Sequence, residues 1–321
     1  MSSSTARLDV EATIFKRLHP HIFLSRFLAS TPSIRDDGRS PSSSRAVSAV
    51  LGSLASARGS CLVRLGRTTV VAAVSAEVAR PRDEAPECGF VVPSIDMSPL
   101  CSPRFRPGPP GEEAQVVLDR IMAVLDASPP IDLSALCIEY GEAVWCLYID
   151  LVCISYDGNV LDASMLAICG ALSDAKIPGA KWDADASQVI CSPNPTDEQR
   201  LHLQSLPLSC SFGGYKGAHL LADPTAFESA LLDSSLVLAL SSSSSAGASA
   251  DSAAQAKLVL LQQQGVCSTI ARADAEAPAT HPEGTRLDDE QTLEFALGIA
   301  RRRYEVLREA LREASEAKET Q

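Results

Sequence analysis

The residues best suited to chemistry lie in Leu100-Cys-Ser-Pro-Arg-Phe-Arg-Pro-Gly-Pro-Pro-Gly-Glu-Glu-Ala-Gln115. Arg104 and Arg106 flank Phe105, and prolines and glycines stiffen the segment against helix or strand. Two guanidinium groups on a stiff loop can grip an anion, because the planar fork matches phosphate and carboxylate oxygens. On composition alone the stretch also reads as a plain surface loop between two elements. A helix is expected directly after it. Glu112 and Glu113 suit the positive end of a helix dipole, and Val117, Ile121, Val124 and Leu125 recur at helical spacing.

Other catalytic sets are missing. Gly213–Gly217 has neither the spacing of a phosphate-binding loop nor its Lys-Ser/Thr pair, so a hairpin turn is expected there. No Gly-x-Ser-x-Gly elbow occurs. His219 falls on a predicted strand and reads as a structural histidine. Asp150 sits within an apolar strand, where a buried carboxylate needs a partner. Asp223 precedes Pro-Thr and suits an Asx-type turn. The ten cysteines form no CxxC pair, and the five histidines keep no ligand spacing with them. Neither a zinc site nor a cofactor is expected, and Cys61, Cys137, Cys146, Cys153 and Cys169 read as reduced thiols inside apolar runs.

The 321 residues are 45% hydrophobic, enough for a large core, and the net charge is −12. An isolated nucleic-acid binder is usually basic, so any such contact must be local or shared with partners. One basic region exists: eight arginines lie between Arg35 and Arg82, against Asp36, Asp37 and Glu77. The N-terminus lacks an apolar signal core, and no apolar run reaches membrane-spanning length, which together suggest a soluble protein of nucleus or cytosol.

The elements that must position the loop follow from pattern. Residues 8–29 read as helix, interrupted at Pro20. Residues 45–57 alternate as a strand through Val47, Ala49 and Leu51. Cys61–Val78 reads as a hairpin around Gly66-Arg67, and Phe90–Met97 as a strand delivering the loop. After the helix near 112–126, Gly141–Ser155 is a long apolar strand, expected to be buried on both faces. Asp157-Gly158-Asn159 is a turn, and Val160–Lys176 a buried helix. Residues 179–206 read as loop. Leu208–Phe212 and Ala218–Ala222 form a second hairpin, Leu236–Leu240 a strand, and Lys257–Leu261 and Val266–Ile270 two more around Gln263-Gln-Gly265. The Ser/Ala-rich residues 241–256 form a flexible insertion. Asp288–Lys318 is an amphipathic helix whose arginines 301, 302, 303, 308 and 312 lie largely off its apolar face.

The order of Arg35-Asp-Asp-Gly-Arg39, Gly59-Ser-Cys-Leu-Val-Arg-Leu-Gly-Arg-Thr-Thr-Val-Val71, Gly89-Phe-Val-Val-Pro93, Pro107-Gly-Pro-Pro-Gly-Glu112 and Asp157-Gly158 resembles the ribonuclease PH family. The resemblance runs from about Arg35 to the C-terminal helix. It implies an α+β fold with mixed sheets, βαβ-like units and a C-terminal helix. The domain would span residues 35–321, behind a helical extension over residues 1–34.

Active family members cleave RNA from its 3′ end with inorganic phosphate as nucleophile. They carry Gly-Glu-Arg ahead of the central strand, where this chain has Gly141-Glu142-Ala143. They follow the Asp-Gly turn with Gly-Thr/Ser-Arg, where this chain has Asn159-Val160-Leu161. They carry a catalytic aspartate after the later hairpin, where Ser229 stands here. The resemblance therefore implies a catalytically silent subunit of the RNA exosome ring. Its partners would be other ribonuclease PH-like subunits in a ring of six, RNA-binding cap subunits, an associated hydrolytic exoribonuclease, and RNA. Arg104, Phe105 and Arg106 would be the foremost RNA contacts, and Arg64 and Arg67 weaker ones. The rivals are an active phosphate-dependent exoribonuclease, alone or completed by a partner across an interface, and a scaffold that touches no RNA.

Overall fold

The computed structural model describes residues 11–183, 185–186, 188–192, 194, 197–243, 256–266, 269–270 and 286–319. The chain divides into two compact units. One comprises Met1–Ser44, Ser211–Val237 and Gln262–Ile299; the other comprises Arg45–Cys210, Leu238–Leu261 and Ala300–Gln321. The first unit begins with helix α1 (residues 11–18) and helix α2 (Pro20–Leu28). Pro20 breaks the helical run yet opens α2 at no cost, because the first backbone donors of a helix are unpaired anyway. Leu24 and Leu28 of α2 pack with Tyr215, Leu221 and Leu231.

The second unit is built on one mixed sheet. Its strands are β1 (Val47–Leu51), β2 (Gly59–Leu65), β3 (Thr68–Ala79), β4 (Phe90–Asp96), β5 (Cys137–Glu139) and β6 (Ala143–Ser155). The order is β1-β2-β3-β6-β4, with β5 beside β6. β2 and β3 are the predicted hairpin, with Leu65 opposite Thr68 across the Gly66-Arg67 turn. β4 runs parallel to β6, so the chain must cross over between them, and helix α3 (Glu112–Ala127) lies in that connection. Helix α4 (Val160–Asp174) packs across β2 and β3. Every residue of α4 except Ser173 is buried, as its nearly unbroken apolar sequence requires.

β6 corrects one expectation. From Leu147 onward its residues alternate between buried and exposed, so one face meets the core and the other meets solvent. Asp150 lies on the solvent side and accepts a 2.7 Å hydrogen bond from Ser94 Oγ, so it is not a buried carboxylate. Residues 179–206 are also more structured than expected. β7 (Lys176–Ile177) pairs with β10 (Gln199–Arg200), and β8 (Ala180–Asp183) pairs with β9 (Gln188–Cys191). These strands are short and mostly exposed, so they carry no alternating pattern for sequence to reveal.

The remaining elements are β11 (Ser205–Tyr215), β12 (His219–Ala222), α5 (Ala226–Ser229), β13 (Ser234–Ser243), β14 (Lys257–Gln264), β15 (Thr269–Ile270), β16 (Arg286–Leu287) and α6 (Asp289–Glu319). A second sheet has the order β12-β11-β13-β14. The turn between β11 and β12 is narrower than predicted. Gly213 and Gly214 belong to β11, paired with Leu221 and Leu220. A Cβ on Gly213 would lie 2.1 Å from Leu232 Cδ1, and one on Gly214 would lie 2.2 Å from Ser234 Oγ. These glycines admit neighbouring side chains and do not make the turn. Gln263 and Gln264 likewise extend β14, while Val266 is outside any strand. Most of the Ser/Ala-rich insertion, residues 244–255, lies outside the described residues, as do residues 267 and 268 of the last predicted strand. In α6, Arg303 is tied inward: its Nη2 donates 2.8 Å to the Arg45 carbonyl.

Candidate functional site

The stiff segment links β4 to α3 and is built from tight turns. Cys101 N donates to Ser98 O at 3.0 Å, and Phe105 N donates to Ser102 O at 3.2 Å. Three further contacts hold it. Tyr156, just past the end of β6, donates from its backbone N to Cys101 O at 3.2 Å. Its hydroxyl donates to Glu113 Oε1 in the first turn of α3. Arg104 Nη2 lies 3.0 Å from Glu113 Oε2. Burial and the adjacent Glu113 carboxylate push the Tyr156 phenol above its usual range, so it stays a donor at neutral pH. The segment borders a concavity of about 760 Å³, lined also by Asp96, Met97 and Glu112.

The predicted cluster is therefore together but uneven. Arg104 is 59% exposed at its side chain, yet Glu113 already answers its charge. Phe105 is half-buried against Tyr156 and does not stand free. Arg106 is exposed and makes no ion pair among the described residues. An anion approaching this loop meets Arg106 as the uncommitted cation. Arg64 and Arg67 are both exposed: Arg64 on β2 donates from Nε to Gly66 O at 3.2 Å and stands opposite Thr69, itself opposite Ser155 of β6, and Arg67 sits in the β2–β3 turn.

The positions expected to hold phosphate are not assembled as one set. Ala143 opens β6, whereas Val160 and Leu161 begin α4 beyond the other end of that strand. Twelve residues at about 3.3 Å each separate the two ends of β6 by roughly 40 Å. Ala143 therefore shares no site with Leu161 inside this chain. Val160 and Leu161 are both buried, each 4% exposed, so the first turn of α4 offers hydrocarbon and no cation. Asn159 precedes them in a left-handed conformation, φ 54°, and donates from Nδ2 to Asp162 Oδ2 at 2.7 Å.

Sequence reasoning missed the arginine that shapes this turn. Arg45 is buried, and its guanidinium donates to Asp157 O at 2.9 Å and to Gly158 O at 3.2 Å. It fixes the turn by carbonyl contacts. It gave no signal in sequence because the carbonyls it holds, at Asp157 and Gly158, lie more than a hundred residues away.

In the other unit, Ser229 ends α5, is exposed, and bonds back from Oγ to Thr225 O at 2.8 Å. The adjacent Glu228 is the buried acid. Arg35 Nε donates to its Oε1 at 2.8 Å, and Arg35 Nη2 reaches its Oε2. Arg35 also donates to Asp223 O at 3.0 Å, and Arg39 Nη1 lies 3.5 Å from the Asp223 carboxylate. Thr225-x-x-Glu228 is a capping box, a pattern sequence can reveal; that Arg35 meets it is not legible without the fold. Burial alone would raise the Glu228 carboxyl, but the Arg35 guanidinium and the Thr225 donors hold it below the usual range. Glu228 is thus an ionised strut, unsuited to proton transfer at neutral pH.

Residues 43–178 match the 3′ exoribonuclease family, domain 1 (RNase_PH). The exosome complex component rrp43 of Schizosaccharomyces pombe is 37% identical over 75% of this chain and 87% of its own length. The exosome complex component Rrp42 of Methanopyrus kandleri is 34% identical over 71% of this chain and 83% of its own. A chain from the solved Archaeoglobus fulgidus exosome with RNA bound to the active site superposes with a TM-score of 0.69 at 26% identity. That superposition covers 94% of this chain and 98% of the other. With the mixed sheet, the buried α4 and the long C-terminal helix in place, the chain belongs to the ribonuclease PH family of 3′ exoribonucleases.

Proposed function

We propose that the chain is a non-catalytic ring subunit of the RNA exosome. It supports 3′–5′ RNA processing and degradation, including ribosomal RNA maturation and mRNA turnover, by completing the ring and guiding RNA through it. The observation that carries the reading is Leu161. It stands in the first turn of α4, at the phosphate-site position where active relatives carry the arginine of Gly-Thr/Ser-Arg, and its side chain is buried. Losing one oriented donor from an anion site costs roughly 3–4 kcal/mol of transition-state stabilisation, and a buried leucine cannot substitute for it. Ser229 in place of the catalytic aspartate, and the commitment of Glu228 to Arg35, point the same way.

The family domain in this reading spans residues 35–321, with residues 1–34 as an extension. The partners are the other ribonuclease PH-like subunits, cap subunits that bind RNA, and a hydrolytic exoribonuclease, in nucleus, nucleolus and cytoplasm. Arg106 is the foremost RNA contact, followed by Arg104 and Phe105, with Arg64 and Arg67 weaker. These cations grip phosphates regardless of sequence, so the chain's net negative charge is offset by sharing RNA around the ring.

Two measurements test this. Purified chain incubated with RNA and inorganic phosphate should release no nucleoside diphosphate; release would overturn the silent reading. RNA crosslinked to the assembled ring should give adducts within residues 104–106, reduced severalfold by Arg106→Glu. No adduct there and no effect of the substitution would favour a scaffold without RNA contact.

A further inference from the structure

Arg104 offers a forked cation to solvent, yet a carboxylate already stands where a phosphate would bind. Its Nη2 lies 3.0 Å from Glu113 Oε2. The other oxygen of that carboxylate, Oε1, accepts from the Tyr156 hydroxyl, so Glu113 is held against Arg104 from its far side. A carboxylate and a phosphodiester present the same paired oxygens to a guanidinium, and only one of them can occupy a given edge of the fork.

The pair is open to exchange. Glu113 is 34% exposed at its side chain, so water screens both partners. An ion pair of this kind biases an equilibrium by no more than about fivefold. The surroundings set the terms of the exchange. Arg104 and Arg106 line the concavity beside the loop, but so do Asp96, Glu112 and Glu113. Two cations against three carboxylates give this concavity a net charge of −1. A lone phosphate ion must displace Glu113 and then sit among carboxylates that repel it. A strand of RNA gripped elsewhere in a ring meets no such barrier, because its phosphates arrive at high effective concentration.

We propose that Glu113 is a specificity-determining residue, a tethered carboxylate that withholds Arg104 from lone phosphate and yields it to an RNA strand the ring already holds. The inference rests on the ring reading above and deepens it. Exchange in both directions suits a loop past which RNA must move, since Glu113 can retake Arg104 as each phosphate leaves.

The test uses the full chain assembled with the other ribonuclease PH-like subunits and a fluorescently labelled single-stranded RNA, titrated over a range of salt. Glu113→Gln keeps an acceptor for Tyr156 and removes the charge. It should tighten RNA binding by about two- to fivefold at low salt. It should also steepen the plot of log affinity against log salt by about 0.7, the increment for one further phosphate on a single strand. Glu113→Ala, equally suited to a helix, is the second variant and should behave alike. Glu112→Gln removes the same charge from the same turn of α3 and should leave the slope unchanged. Arg104→Ala should cancel the gain from Glu113→Gln. At constant ionic strength, inorganic phosphate should erase crosslinks to residues 104–106 more readily in Glu113→Gln than in wild type.

Equal slopes in wild type and both Glu113 variants, equal gains from Glu112→Gln and Glu113→Gln, or equal sensitivity to phosphate would each overturn the role of Glu113. Wild-type crosslinks within residues 104–106 would then leave the ring reading standing. If neither wild type nor any variant crosslinks there, RNA contact at this loop and the role of Glu113 both fall.

Discussion

The Phe105 ring meets the Tyr156 ring edge-on, with centroids 5.1 Å apart and planes at 90°. This contact joins the middle of the arginine-bearing loop to the end of β6. Tyr156 also bonds Glu113, and Glu113 pairs with Arg104, so one tyrosine organises the loop from two directions.

It follows that Tyr156→Ala should free the loop without unfolding the unit. An edge-to-face pair contributes about 0.5–1.5 kcal/mol and a hydrogen bond to a charged group about 1.5–3 kcal/mol. Limited trypsin digestion reads this directly, because Arg104 precedes Phe105 and is cleavable, whereas Arg106 precedes Pro107 and resists. Cleavage after Arg104 should accelerate about tenfold or more, as expected when local opening becomes easier by over 1.4 kcal/mol. Tyr156→Phe, which keeps the ring, should fall between. Equal cleavage rates in all three proteins would mean that other contacts hold the loop.

The Arg35–Glu228 pair makes a prediction about acid. Both side chains are almost wholly buried. Glu228→Gln leaves the Arg35 charge in the interior without its counter-ion, which costs about 3–5 kcal/mol. The folded carboxyl titrates below its ordinary 4.5, because Arg35 outweighs burial. The pair's contribution is therefore complete above the unfolded value and is lost as pH falls through the lower folded one. Urea midpoints measured from pH 7 to pH 3 should show a wide gap between wild type and Glu228→Gln at neutral pH. The gap should narrow only below about pH 4.5, where unfolded glutamate begins to take up protons. A gap independent of pH would show that Glu228 stabilises by packing alone.

Which of these features sequence reveals depends on their range. The β2–β3 hairpin, α3, α4 and α6 are legible because each writes its own periodicity. The arginines of the loop are legible by type and spacing. The partners that decide their behaviour are not: Glu113 was visible as a helix-dipole acid, but its bond to Tyr156 spans 43 positions. Arg45 and Arg35 are invisible as structural cations, since the Asp157 carbonyl and the Glu228 carboxylate that they hold lie over a hundred residues along the chain. β6 misled for the opposite reason. Its apolar composition predicts burial on both faces, which holds over Ala143–Leu147, but beyond Leu147 buried and exposed residues alternate and one face meets solvent.

Two glycines around α4 should respond differently to the same substitution. Gly59→Ala would set a Cβ 2.5 Å from Ala171 O and 2.5 Å from Ala175 Cα, both backbone atoms at the end of α4. Backbone cannot turn aside, so the helix and β2 must separate, at a cost of about 1–3 kcal/mol or more. Gly170→Ala instead meets the Cys61 side chain, with Sγ at 2.5 Å, and Leu311 Cδ2 at 3.2 Å. Alanine is better than glycine in a helix by about 1 kcal/mol, so this clash works against a local gain. Adding Cys61→Ala removes the sulfur and should recover most of the stability lost in Gly170→Ala. The same second substitution should recover nothing in Gly59→Ala. Thermal melts of the two double variants check the distinction, and equal rescue in both would mean that β2 and α4 yield as a unit.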